Sequence, residues 1–531
     1  MKKTLLSLLI VFMLCFVSTV SIAADAGIGA DGYYEEGGGA TENATQSAKD
    51  TLTVCCSSLG NGWDPMNCGY NIGTTVVTDS VYEGLLQSEK DGSLTPVLAT
   101  GWEIDEDGLG YTFHLREGVT FTNGEPFNAD AVVWSMGVRY PSASLYAGDT
   151  VWDCANISKV DDYTVHIPLQ QKNSVALYVL ANQQYRIMEK TWCEAQDNFN
   201  TDAMGTGPYM IEEAVSGSYV KLTANENYWG VKPAIKKVTC KYITESSQEE
   251  LELEVGTVDC VLDPAAFDVV HLMKGEVPGI KITYTYGGAT MIVFNLNTEM
   301  GQNTKYRQAL SAAIDRESIA KSVFQGLAKP MYGFALPSSI FYDPDYEANY
   351  PYKYNLENAK ALLAESGLDP SAITLKVLSD VSAGSVAISE IISHNIGELG
   401  FNVDITMLEG AAYVPALLGG EEDIAVGLGL SVSADPTYNL RYAKPGASPD
   451  WTGKGKTTTE FDAEYHVYNE MIAASDEATM LEKAQEYQNF VTDNCLFMPL
   501  VSFDSYIAHV DDLQPGYFNG NYVRFATWYF K

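Results

Sequence analysis

The stretch LATGWEIDEDGLGYTFHLREGVTFTNGEPFNADAVVWSMGVR, Leu98–Arg139, decides how this chain is read. Within it Tyr111, Phe113 and Leu115 alternate with Thr112 and His114, the period of a strand with one buried face, and Asp105 to Gly110 supplies a hairpin turn ahead of it. Asn128 is placed to cap a helix running to Val138, with Val132, Val133, Met136 and Gly137 on its packed face. The order strand, hairpin, strand, helix follows. Asp105, Asp107 and Gly108 imitate the start of a calcium loop, but the third acidic position before the glycine and the distal glutamate are missing.

Working outward, Thr51 to Val54 opens the fold as a β-branched strand that ends in the turn cluster Asn61, Gly62, Asp64, Pro65. On the other side, Ile282 to Asn297 is a long β-rich segment interrupted by Gly287 and Gly288. That pattern suits a strand that leaves one lobe, bends and enters the next, so the two glycines are hinge candidates. Leu310, Ala313 and Ile314 recur at helical spacing within Tyr306 to Gln325, and a further helix, capped at Asn355 and carrying Leu356, Ala359, Leu362 and Leu363, should stop at Gly367. Strands at Ile373 to Val377 and Val403 to Met407 alternate with helices, which indicates an α/β far lobe. The aromatic, strand-like end, Tyr517 to Lys531, is expected to return to the first lobe. At 531 residues the chain exceeds what one hydrophobic core fills, so two lobes are expected.

Apolar residues at 46% and charged residues at 19% describe a chain able to bury a core. Its 32 basic and 69 acidic side chains give a net charge of −37, and no basic stripe interleaved with aromatics occurs, so nucleic acid is excluded as a partner. The acidity itself reads as solubility and mutual repulsion. No two cysteines take the CxxC spacing of a zinc or redox site, the six histidines are scattered, and GxSxG, HExxH and the P-loop are absent, since GKGKT at Gly453–Thr457 lacks the earlier glycine. No metal, no cofactor and no enzymatic activity are therefore expected. Gly27, Gly29 and Gly32 spell GxGxxG without a preceding strand, which carries no dinucleotide site.

Met1 to Ala23 has the parts of a secretory signal: Lys2 and Lys3, the apolar run Leu5 to Val20, and Ser21, Ile22, Ala23 before the cut. Export follows, to a periplasm or the outer face of the cytoplasmic membrane. Cys15 sits among Met13, Leu14 and Phe16 rather than after small residues, which argues against lipidation. Residues 24–50, rich in Gly, Ala, Thr and acids, read as a flexible linker.

The quoted stretch closely resembles the signature of the family 5 extracellular solute-binding proteins: a tryptophan, an acidic and glycine turn, YTFxLR, GVxFxxGxPFxAxDV and a serine-bearing helix, in order. Four later blocks are similar to that family too: GTGPYMI and NENYWG within Gly205–Gly230, FNLN at Phe294–Asn297, RQALSAAIDRESI at Arg307–Ile319, and YNLENAKALLAESG at Tyr354–Gly367. Together they span the chain from about Thr51. Ala131 departs from the pattern's aspartate, with Asp130 beside it, and the missing lipidation cysteine bears only on anchoring.

The resemblance implies an α/β, periplasmic-binding-protein-like fold of two lobes joined by a hinge, with an extra subdomain inserted in the first. Lobe I would comprise 51–89, 205–287 and 505–531, the insert 90–204 and lobe II 288–504. It also implies a monomer that captures a short peptide in the cleft and delivers it to an ABC permease in the membrane, with nickel chelates and oligosaccharides as alternative ligands. A surface sensor or a secreted hydrolase is the alternative of another class. Asp435 in SADPTY would face the ligand's amino terminus, although an Asp before Pro436 also starts turns. Arg441 would pair with a ligand carboxylate, and Trp63, Tyr70 and Tyr438 would stack on ligand side chains. A bridge between Cys55 and Cys260 is a further implication of the resemblance.

Overall fold

The computed structural model describes residues 34–36, 42–57, 62–67, 71–89, 93–144, 150–337, 339, 341–431, 438–441, 459–474, 476–520 and 522–531. One mixed sheet organises them, its strands hydrogen-bonded in the order Asn402–Leu408, Thr374–Asp380, Ile424–Leu430, Ile280–Phe294, Phe497–Val510, Cys260–Val261, Thr51–Cys56, Lys237–Tyr242, Tyr219–Ala224, Tyr209–Val215. The two central strands are the longest and antiparallel, in register from Ile280 opposite Val510 to Val293 opposite Phe497. On one half Phe497–Val510 is flanked by Cys260–Val261, and on the other half Ile280–Phe294 is flanked by Ile424–Leu430. The pair therefore passes from one α/β half of the molecule into the other.

The glycines expected to bend this segment lie at its middle. Between Tyr286 and Ala289 the long strand has two residues where its partner has one, Phe503, which makes a bulge. A Cβ on Gly287 would lie 2.2 Å from the Phe503 carbonyl oxygen, and one on Gly288 2.4 Å from that of Leu430, so a side chain at either position would push apart the strands meeting there.

The quoted stretch supplies two strands of a separate four-stranded sheet, in the order Ala99–Ile104, Gly110–Leu115, Thr164–Pro168, Ser158–Asp161. Asn128 accepts hydrogen bonds from the Asp130 and Ala131 amides, as a cap should. The helix expected to run on to Val138 instead loosens after Val132 into a π-helical stretch, Val133–Arg139. The calcium-like turn is held by protein groups, the Asp105 carboxylate lying 2.8 Å from His166 Nε2.

The family-like blocks turn out to be joints. Gly205 and Gly207 press against the end of the helix Ile72–Val81, where a Cβ would stand 2.1 Å from Val81 O and 2.6 Å from Ser80 O respectively. Thr206, Tyr228 and Trp229, from two of those blocks, all donate to the buried Glu83 carboxylate at 2.7, 2.8 and 2.8 Å. The helix expected over Tyr306–Gln325 is two, Thr304–Ala313 and Arg316–Ser322, because Ile314 is extended and Asp315 caps the second through the Ser318 amide. Leu356–Ser366 is capped by Asn355 and stopped by a left-handed Gly367, as the sequence indicates.

Two expectations change. Cys260 pairs with Val54, and Val261 with Cys55, so in this parallel ladder the side chains of Cys55 and Cys260 point to opposite faces of the sheet and cannot bridge. All the described cysteines are free thiols, and the nearest approach is Cys56 Sγ to Cys240 Sγ at 3.7 Å. The stretch expected to be a flexible linker is held in part. Tyr34–Glu36 pairs in parallel with Ile282–Tyr284, and the amides of Ala44 and Ala48 donate to the carbonyls of Ala526 and Phe530. A composition poor in apolar side chains does not register such backbone pairing.

The aromatic end lies against elements from the beginning of the chain. Arg524 bonds Glu89 at 2.9 Å, and Tyr522–Val523 packs on the helix Ile72–Val81. His509, on the long strand Phe497–Val510, is fully buried; its Nδ1 donates to Val510 O and its Nε2 accepts from Thr283 Oγ1. Burial pushes its pKa down to about 4. Between the unfolded value near 6.5 and that level only the unfolded chain binds this proton, so stability is complete above the upper value and falls as pH drops through the window. Wild type should lose about 2–4 kcal/mol more than His509→Gln between pH 7 and 4, measured by urea unfolding; parallel pH profiles would refute this.

Candidate functional site

In each half the parallel strands end toward the crossing. Thr51–Cys56 and Cys260–Val261 run so that Cys56 and Val261 lead into Ser57 and Leu262–Pro264. In the other half, Thr374–Asp380 and Ile424–Leu430 bring Asp380 and Leu430 to the same region, where Leu430 meets Ala289. Ligands of open α/β sheets bind outside the carboxyl ends of the strands, and here two such ends face each other across the bulged strand pair.

A cavity of about 280 Å³ lies there. It is walled by Leu262, Asp263 and Pro264 after the strand Cys260–Val261, by Phe324 and Leu327 after the helix Arg316–Ser322, and by Phe503–Tyr506 of the crossing strand. Phe324 and Phe503 stack with centroids 5.3 Å apart. Asp263 accepts the Ser57 amide at 3.0 Å and the Ser57 hydroxyl, and burial lifts its pKa to about 6. Behind it, on the helix Ser246–Glu254, Glu249 is 2% exposed and its Oε1 has no hydrogen-bond partner. Burial, reinforced by the charges of Asp263 and Asp268, lifts Glu249 to about 9.

On the second half, Asp380 accepts the Ser382 amide and the Ser385 hydroxyl, each at 2.7 Å. Its carboxylate lies across Gly427, whose φ of +111° and lack of a side chain leave it that room. Asn439 clamps both backbone groups of Ser431, at 3.0 and 3.2 Å, and so fastens the helix Tyr438–Arg441 to the end of Ile424–Leu430.

The residues expected at the site divide accordingly. Asp435 and Tyr70 lie outside the described residues, and only the backbone of Tyr438 and Arg441 is described, in that short helix. Trp63 is 4% exposed within the core, its amide bonded to Phe199 O at 2.8 Å, and offers a ligand almost no surface. Asp263, Glu249 and the phenylalanine pair were not foreseen. Asp263-Pro264 follows a strand, and the same dipeptide stands in SADPTY, but Asp-Pro also opens the helix Pro344–Asn349, so the dipeptide alone does not separate a site from a cap. Away from the cavity lining, Glu250, Glu254 and His271 bring ligand atoms within 4.8 Å of one another on two adjacent helices.

The sequence pattern of the "Bacterial extracellular solute-binding proteins, family 5 Middle" matches residues 93–449. The chain belongs to this family. Among family 5 relatives, heme-binding protein A of Haemophilus influenzae is 28% identical over 62% of this chain, and the match spans 64% of that protein's length. A glutathione-binding protein of Salmonella typhi is 26% identical, with 88% of this chain and 91% of that one covered. The fold matches the periplasmic binding protein DppA of Helicobacter pylori, solved with the peptide STSA, at a TM-score of 0.79 and 24% identity, over 91% of this chain and 98% of that one. The family consists of solute-binding proteins, and no helix among the described residues is long and apolar enough to cross a membrane.

Proposed function

We propose that this protein captures short peptides outside the membrane, in the cleft between its two halves, and delivers them to an ABC permease. The observation that carries this reading is the cavity beside Leu262–Pro264, one wall of which is Phe503–Tyr506 of a strand that, paired with Ile280–Phe294, joins the two halves of the main sheet. A ligand there touches both halves and so favours their closed arrangement. Turning a mostly open population into a mostly closed one requires about 10⁴-fold tighter binding to the closed form. Gly287 and Gly288, where the strand pair is locally irregular, are the proposed hinge. Asp435 is the proposed partner of the peptide ammonium. In the sequence it falls between Ser431 and Asn439, which bond each other after the strand Ile424–Leu430. Arg441, Tyr438 and Tyr70 are further proposed contacts.

The chain from Ala24 onward, unfolded and refolded to strip carried ligand, should melt at higher temperature with di- to pentapeptides. A ligand at 100 times its Kd adds about 2.7 kcal/mol to native stability. Asp435→Ala should abolish the shift. A shift with nickel chelates or oligosaccharides and none with peptides would overturn the reading.

A further inference from the structure

The cavity is walled mostly by hydrocarbon. Pro264, Ala266, Phe324 and Phe503 line it while half-buried, and the buried Leu262 and Leu327 back them. The rings of Phe324 and Phe503 stack, 17° from parallel, into one aromatic panel. The two carboxylates of the lining interact within the protein, Asp263 with the amide and hydroxyl of Ser57 and Asp504 as well, so hydrocarbon is the larger part of what a guest meets. Sites for small solutes have this make-up, an apolar lining with a few polar groups that fix orientation. At about 280 Å³ the cavity stands near the lower end of their range of roughly 300–1,000 Å³, which suits one bulky side chain rather than a whole peptide. Phe503 is the residue opposite the bulge, and its ring lies over Gly288, where a Cβ would stand 3.7 Å from Cζ. A guest packed on this ring therefore touches the segment that joins the two halves.

We infer that this cavity receives a bulky apolar side chain of the captured solute, so that the protein prefers solutes carrying one over solutes whose side chains are small and polar. The inference rests on the reading of this region as the capture site and adds a preference to it. Aromatic and saturated side chains present the same hydrocarbon to Leu262, Pro264 and Leu327. Only an aromatic one adds ring-on-ring contact with Phe324 and Phe503.

Isothermal titration of the ligand-stripped chain with trialanine peptides carrying serine, phenylalanine or cyclohexylalanine at each position in turn reads this preference. At one position the phenylalanine and cyclohexylalanine peptides should both bind about tenfold or more tightly than the serine peptide. Phenylalanine ahead of cyclohexylalanine assigns the group to an aromatic ring, and parity assigns it to any large hydrocarbon; the inference stands with either. Ala266→Leu, which places more hydrocarbon in the cavity from the start of the helix Ala266–Met273, should cut the preference to about threefold or less while the serine peptide keeps its affinity. Peptides that bind with no such preference at any position would overturn the inference and leave peptide capture standing. A preference that survives Ala266→Leu, or a variant that weakens all the peptides alike, would overturn it too. If no peptide binds, peptide capture fails, and p-cresol decides separately by ligand-observed magnetic resonance. Saturable binding lost in Ala266→Leu then supports the cavity, and binding that is absent or survives the variant rejects it. The selectivity of the wild-type chain is itself a readout, so the test does not depend on the variant folding.

Discussion

Glu83→Ala should cost about 3–5 kcal/mol of stability, because it strands three donors at once, the buried Thr206 and the half-buried Tyr228 and Trp229. Thr206 Oγ1, Tyr228 Oη and Trp229 Nε1 all converge on this carboxylate, which is 8% exposed, and the Glu83 carbonyl also accepts the Ile187 amide. Burial raises the pKa of Glu83 while the three donors pull it back, so the charged form depends on them as they depend on it. Glu83→Gln should cost less, since an oxygen remains but an NH2 now faces donors. Urea unfolding followed by tryptophan fluorescence measures both. A loss under about 1 kcal/mol for the alanine variant would mean that the donors find other partners.

Arg316→Ala should have an effect of similar size, about 3–5 kcal/mol, on the second half. The side chain is 1% exposed, and it donates from Nε to Pro499 O at 2.9 Å, from Nη1 to Ser311 O at 3.0 Å and from Nη2 to Ser311 Oγ at 3.1 Å. Its guanidinium also lies 4.7 Å from the centre of the Tyr332 ring. Pro499 belongs to the crossing strand, so this arginine ties a helix start to the element that joins the two halves. Arg316→Lys should rescue little, because a point-like ammonium cannot serve three acceptors fixed by a planar fork. Rescue to within about 1 kcal/mol of wild type would show that charge alone is what the site requires.

These two positions explain why the family was legible in the sequence while the site was largely not. The blocks that carry the resemblance, GTGPY, NENYWG and RQALSAAIDRESI, contain Thr206, Tyr228, Trp229 and Arg316, residues that join elements and must recur in order wherever the elements do. The bulge in Ile280–Phe294 was readable because glycines interrupt a β-branched run. Its partner Phe497–Val510 was not, since it is covered on both faces for most of its length and shows no alternation. The break at Ile314 escaped notice because helical spacing continues across it, and only Asp315, acting as a cap, marks the new start. The cavity gathers Asp263, Phe324 and Phe503 from three distant parts of the chain, and no local pattern announces residues that meet only after the sheet has formed.

The position of Phe497–Val510 at the middle of the sheet also governs how the molecule comes into being. Among the described residues, the main-sheet strands on one side of it reach those on the other only through it, yet it is nearly the last segment to be synthesised. Pairings this far apart in sequence form slowly, and until the strand arrives both neighbouring strand edges stay open. A chain emerging from the ribosome amino end first therefore cannot complete its central sheet while its carboxyl end is unfinished.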